Sequence, residues 1–227
     1  FSLLAIYWLM MKLVPVPGFG PGILDYEGNL CGYLDLKLLS GHLYKPEFDP
    51  EGILSTIPAI STSLLGVLAG DWLRTSRKIL DKTAGVFGAG ILFIALGLLL
   101  HPFFPINKQL WTSTYVLFTA GAALVLLGVC FGVVEGLRFK KWAAPFLVLG
   151  TNAITVYIGS ALMAKLMGLI QVWDKGVFVS VKTYFYDDCL VPLAGNLIGS
   201  VLFPVLLILT WIGIMLPLYR KKIFIRI

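Results

Sequence analysis

Six apolar runs alternate with polar stretches along the chain, at roughly 1–15, 52–73, 83–101, 111–134, 143–170 and 193–219. Most reach the ~20 residues that carry an α-helix across ~30 Å of hydrocarbon. The pattern predicts an all-α, polytopic integral membrane helix bundle with about six transmembrane helices, read as a single domain over 1–227. The first run starts abruptly at Phe1, with neither a basic region nor a small-residue cleavage site before Leu3. It therefore reads as a truncated helix of a longer protein rather than a signal peptide. A long polar loop (16–51) and a medium one (171–192) are joined to three short connections.

Charge orients the bundle. The 2–3 and 4–5 connections and the tail hold eleven of the 18 basic residues, among them Arg74, Arg77, Lys78, Lys82, Arg138 and Lys140. Only Asp71, Asp81 and Glu135 oppose them, a net +8 that leaves −2 for the rest of the chain. Basic connections mark the cytoplasmic side, so the C-terminus is expected inside and both larger loops outside. Composition agrees: 58% of residues are hydrophobic and 13% charged, half the charge of a soluble domain. That excludes a disordered chain and a nucleic-acid-binding arm. Small residues at four-residue spacing (Thr62, Gly66 and Gly70; Gly128 and Gly132; Gly195 and Gly199) predict close helix packing.

Few residues offer chemistry. Asn152 is placed about nine residues into the fifth helix, where an amide needs a partner; it is either an interhelical hydrogen bond or part of a site. Asp49-Pro50-Glu51-Gly52 opens the second helix as an N-cap, a proline at N1 and a first-turn acid, or else supplies paired carboxylates at the outer mouth. Asn107 and Lys108 precede Trp111 and Tyr115 at the start of the fourth helix; the aromatics suit an interfacial belt, and the amide and amine could meet an oxygen-rich ligand. His42 and His101 are bases by residue type alone. Cys31 and Cys189 fall outside, where a disulfide is conceivable, and Cys130 reads as a buried small hydrophobe. Three cysteines have no metal-ligand spacing, so no metal is expected. No Walker loop, dinucleotide fingerprint or nucleophile elbow occurs.

A series of short motifs narrows this. Leu13-Val14-Pro15-Val16-Pro17-Gly18 is followed by Gly32-Tyr33-Leu34-Asp35, Gly41-His42-Leu43-Tyr44 and Asp49-Pro50-Glu51-Gly52-Ile53-Leu54-Ser55-Thr56-Ile57. Then come Pro105-Ile106-Asn107-Lys108-Gln109-Leu110-Trp111-Thr112-Ser113, Gly150-Thr151-Asn152-Ala153-Ile154-Thr155-Val156-Tyr157 and Tyr219-Arg220-Lys221-Lys222-Ile223-Phe224. In this order they resemble the C-terminal half of the heparan-alpha-glucosaminide N-acetyltransferase family, over almost the whole chain.

The resemblance implies a transmembrane acyltransferase that takes acetyl from cytosolic acetyl-CoA and delivers it to an amino-sugar or glycan acceptor across the lipid bilayer. It implies that the proton-accepting His lies upstream of Phe1, in an N-terminal half this chain lacks, so no catalytic residue is assigned here and the fragment alone is expected to be inactive. Asp49, Glu51, Asn107, Lys108, Trp111 and Asn152 are then expected to line or support the site. The absence of any Asn-x-Ser/Thr acceptor and the short loops point to a bacterial inner-membrane relative rather than a lysosomal one. A homodimer is compatible with this reading. Two rival readings remain: a small-molecule transporter, and a non-catalytic membrane relative that kept the fold.

Overall fold

The computed structural model describes residues 1–44 and 49–225. The chain forms two compact units, Phe1–Phe139 and Lys140–Ile227. All six apolar runs are helical. Among the described residues four helices are long and apolar enough to cross a bilayer, or five if one bent pair counts as a single span.

The first unit holds α1 (Ser2–Leu13), α2 (Leu30–Leu38), α3 (Thr56–Arg74), α4 (Ile79–Leu100) and α5 (Ser113–Phe131). A π-helical turn, Gly132–Gly136, extends α5. The tightest helix contact is between α4 and α5, where Gly90 and Gly121 face each other. A methyl on Gly90 would stand 2.8 Å from the Gly121 carbonyl oxygen, and one on Gly121 2.7 Å from that of Gly90. Gly128 and Gly132 continue the seam: a methyl on the first would stand 3.1 Å from Phe87 of α4, and one on the second 3.0 Å from Thr83. The expected stripe on α3 differs: Gly66 and Gly70 touch no neighbour and instead line an open apolar groove of about 280 Å³ beside α5.

The loop-bearing end of this unit carries its own core, in which Tyr7, Met11, Cys31, Leu54, Phe104 and Leu110 are buried together. Within the long loop, α2 forms because the Asn29 carboxamide oxygen caps it, accepting the Gly32 N–H at 2.7 Å while its nitrogen donates to the Asp25 and Tyr26 carbonyls. The expected helix start at Asp49 is corrected here. Residues 50–55 form successive turns and α3 begins at Thr56, because the Ser55 and Thr56 hydroxyls both donate to the Gly52 carbonyl, at 2.9 and 3.0 Å.

In the second unit the fifth apolar run is broken. α6 (Ala144–Gly150) and α7 (Ala153–Leu169) are bent by 72° at Thr151–Asn152. A hairpin of β1 (Gln171–Asp174) and β2 (Val177–Ser180), the one sheet among the described residues, fills part of the medium loop. α8 (Val181–Tyr184) and a π-helical turn (Phe185–Leu190) lead into α9 (Val191–Arg220). Gly195 has φ +75° inside α9, so the chain leaves helical geometry there and Gly195 and Gly199 do not form a shared face.

Candidate functional site

The candidate site residues of the first unit lie at its loop-bearing end. His42, Leu43, Tyr44, Asp49, Pro50 and Glu51 line a cleft of about 440 Å³. Asp49 is committed to the loop: one carboxylate oxygen accepts the Tyr44 N–H at 3.1 Å and the other the Glu51 N–H at 2.9 Å. This is an Asx-type turn rather than a helix cap, since Asp side chains accept from the backbone two residues on. Glu51 is exposed, so its carboxylate is available to the cleft.

The 101–112 loop stands on the same core through Phe104 and Leu110. Asn107 is spent on the backbone, its carboxamide oxygen accepting the Gln109 and Leu110 N–H groups at 2.8 and 3.3 Å. Lys108 is exposed. Trp111 lies outside α5 with φ +50°, and its indole N–H donates to the Thr62 hydroxyl on α3 at 3.3 Å. Beneath the loop, Thr112 and Thr114 donate to the Pro105 and Phe104 carbonyls at 2.9 and 2.7 Å, and Ser113 to the Leu4 carbonyl at 2.7 Å. The Tyr7 hydroxyl donates to the Leu110 carbonyl. His101 is not free to act as a base through Nδ1, which accepts the Ile106 N–H at 3.0 Å.

Asn152 lies in the second unit, fully buried at the bend. It is neither mid-helix nor bonded between spans. Its carboxamide oxygen accepts the Ile225 N–H at 2.8 Å and its nitrogen donates to the Ile223 carbonyl at 3.2 Å. A side-chain amide thus pairs with the tail backbone as a strand neighbour would.

One group escaped the sequence reading. Asp35 on α2 is fully buried; one oxygen accepts the Ile53 N–H at 2.9 Å, and the other has no hydrogen-bond partner among the described residues. Burial raises its pKa above the ordinary carboxylate value, the Ile53 N–H opposes that, and Asp49 adds to it. One turn earlier, Cys31 is buried against Tyr7 and Met11, which pushes its thiol up to about 12. All three cysteines are free thiols in the structure, and Cys130 is half-buried rather than buried. The signal for Asp35 was a lone acid four residues after Cys31, on the apolar stripe of a short helix. No cluster of three or more metal-ligating side chains occurs among the described residues.

Fold and site together define a polytopic helical membrane protein with a hydrogen-bonded polar cap. No family model matches the chain. Over 97% of its length, however, the chain is 32% identical to heparan-alpha-glucosaminide N-acetyltransferase of Homo sapiens and 28% identical to that of Mus musculus. The chain is related to the heparan-alpha-glucosaminide N-acetyltransferase family. It spans about a third of the length of these curated relatives, 35% and 36%.

Proposed function

We propose that the chain is the C-terminal part of a transmembrane acyltransferase that moves acetyl from cytosolic acetyl-CoA to the amine of an amino-sugar acceptor on the outer side. The observation that carries this reading is the 32% identity over 97% of the chain to an N-acetyltransferase. The cleft at Asp49 and Glu51 supports it, because the exposed Glu51 carboxylate and a nearby Tyr44 suit the hydroxyl and amine groups of a sugar. On this reading Glu51 and Lys108 face the acceptor, Asp49 and Asn107 hold the loop backbone of the first unit, Trp111 ties that loop to α3, and Asn152 supports the fold of the second unit. The general base that deprotonates the attacking amine is a His outside these 227 residues.

The same reading places the C-terminus in the cytoplasm of a bacterial cell, with the basic α3–α4 connection on the side of the donor. There Arg77 stacks on Trp72 at 4.7 Å, leaving Arg74 and Lys78 to attract the phosphates of coenzyme A. A second reading, transport of a small molecule, draws support from the 72° break at Asn152, since transporters build sites at discontinuous helices.

The experiment uses membranes carrying the complete open reading frame, supplied with labelled acetyl-CoA and a glucosamine-ended acceptor. Acetylated sugar is the expected product. Flux of the sugar without acetylation would replace the acyltransferase reading with the transporter, and loss of both would leave a non-catalytic relative.

A further inference from the structure

We propose that Asp35 is the positioning residue of the acceptor cleft, fastening the Gly52–Ile53 turn to α2 and so setting where Asp49 and Glu51 stand. This rests on the acceptor reading of the cleft given above.

Three observations converge on it. The Asp35 carboxylate accepts the Ile53 N–H at 2.9 Å, a contact across 18 residues between α2 and the turn that closes the cleft. Gly52 lies directly against that carboxylate: a Cβ on residue 52 would fall 1.8 Å from the second oxygen. Only a glycine lets the turn come this close. Finally, that second oxygen is buried without a hydrogen-bond partner among the described residues, and burying a polar atom unpaired lowers stability. A residue serving packing alone would be better as an apolar side chain. Glu51 and Asp49 are one and three residues from Gly52, so any slackening of the turn moves the cleft's carboxylates directly. Asp35 does not line the cleft and acts only through the turn.

The test uses the complete protein in detergent or membranes, with Asp35→Ala, Asp35→Asn and Gly52→Ala variants. One readout is amide hydrogen exchange over residues 49–55, and the other is the KM for a glucosamine-ended acceptor against the KM for acetyl-CoA. Asp35→Ala is expected to speed exchange in the turn and raise the acceptor KM, each ~10-fold, leaving the acetyl-CoA KM unchanged. Asp35→Asn should restore both, because its carboxamide oxygen can accept the same N–H. Gly52→Ala should behave like Asp35→Ala, and it carries the test should Asp35→Ala fail to fold. Unchanged exchange in both Asp35→Ala and Gly52→Ala would overturn the fastening whatever the turnover. An equal rise in both KM values would overturn the link to the acceptor. Faster exchange in a protein whose wild type makes no acetylated sugar would overturn the acyltransferase reading, and with it the acceptor role, while leaving the fastening itself standing.

Discussion

Asn152 holds Ile225 through a 2.8 Å hydrogen bond that joins a break between two helices to a segment 73 residues later. With the partner bond to Ile223, both polar ends of the carboxamide are satisfied inside the second unit. Replacing Asn152 with Ala removes the partner of the Ile225 N–H and the Ile223 carbonyl; both residues are exposed, so water replaces part of what is lost and the change costs about 1 kcal/mol. We expect Asn152→Ala to lower the Tm in detergent and to make residues 221–225 sensitive to protease, with Asn152→Gln intermediate. Unchanged proteolysis of that segment would show that the amide does not hold it.

Trp111 and Thr62 make a separable pair. The indole N–H donates to the Thr62 hydroxyl, which itself donates to the Pro58 carbonyl at 3.2 Å. Trp111→Phe and Thr62→Val should each cost about 1 kcal/mol. The double variant should cost less than their sum, as for groups in direct contact. Strict additivity in thermal unfolding would mean that the two residues are independent.

The Gly90–Gly121 contact predicts a sharp size limit. Gly90→Ala places its methyl 2.7 Å from the Val125 backbone nitrogen and 2.8 Å from the Gly121 carbonyl oxygen, with backbone that cannot swing aside. Overpacking of this kind costs about 1–3 kcal/mol. Gly66→Ala, which meets nothing within 4 Å, serves as the control and should be neutral or slightly stabilising. Equal behaviour of the two variants in a thermal-stability assay would contradict the packing.

Asp35 gives the pH dependence a definite sign. Its carboxyl is raised above the ordinary value of 3.8, so the folded state favours the protonated form. That contribution is complete below pH 3.8 and is lost as pH rises through the raised folded value. Burial is the main cause of the shift, and the charge of nearby Asp49 pushes in the same direction. Unfolding titrations should therefore show wild type losing stability relative to Asp35→Asn as pH rises from ~4 toward neutrality. A difference between the two that does not change with pH would refute the shift.

At the cleft, Glu51 and Asp49 should separate. Glu51→Gln leaves the turn's hydrogen bonds in place and should weaken acceptor use by ~10-fold with little change in Tm. Asp49→Asn replaces one of two backbone-accepting oxygens with a donor and should lower stability of the turn as well. Identical effects on KM and Tm in both variants would remove the distinction between a ligand-facing acid and a structural one.

The helices were legible in the apolar runs because burial in lipid demands long uninterrupted stretches, and each run did become helical. Breaks were not. Thr151 and Asn152 are an isolated polar pair inside the otherwise apolar run 143–170, too short an interruption for mean hydropathy to register the 72° bend made there by backbone geometry. The Gly128–Gly132 stripe does pack closely, but the α3 stripe misled for a related reason: spacing tells which residues share a face, not which face finds a neighbour, and Gly66 has none. Asp49-Pro50-Glu51 suits an Asx turn as well as a helix cap, and Tyr44 decided between them by donating to the carboxylate. Asp35 was hidden because an acid on an apolar stripe reads as an interruption of the stripe, whereas here it is the stripe's most buried member.

The Gly90–Gly121 contact also bears on how the protein meets membranes of different thickness. α4 has 22 residues and α5 with its π-helical turn 24, lengths of about 33 and 36 Å at 1.5 Å per residue, against ~30 Å of hydrocarbon. Excess length can be absorbed by tilting or by letting one helix slide against the other. Sliding would drag a carbonyl ridge across a surface that has no room for a methyl group. The pair should therefore lean as one ribbon, and further in a thinner bilayer than in a thicker one. Cross-links between cysteines placed on the two helices should keep the same pairing across lipids of different chain length.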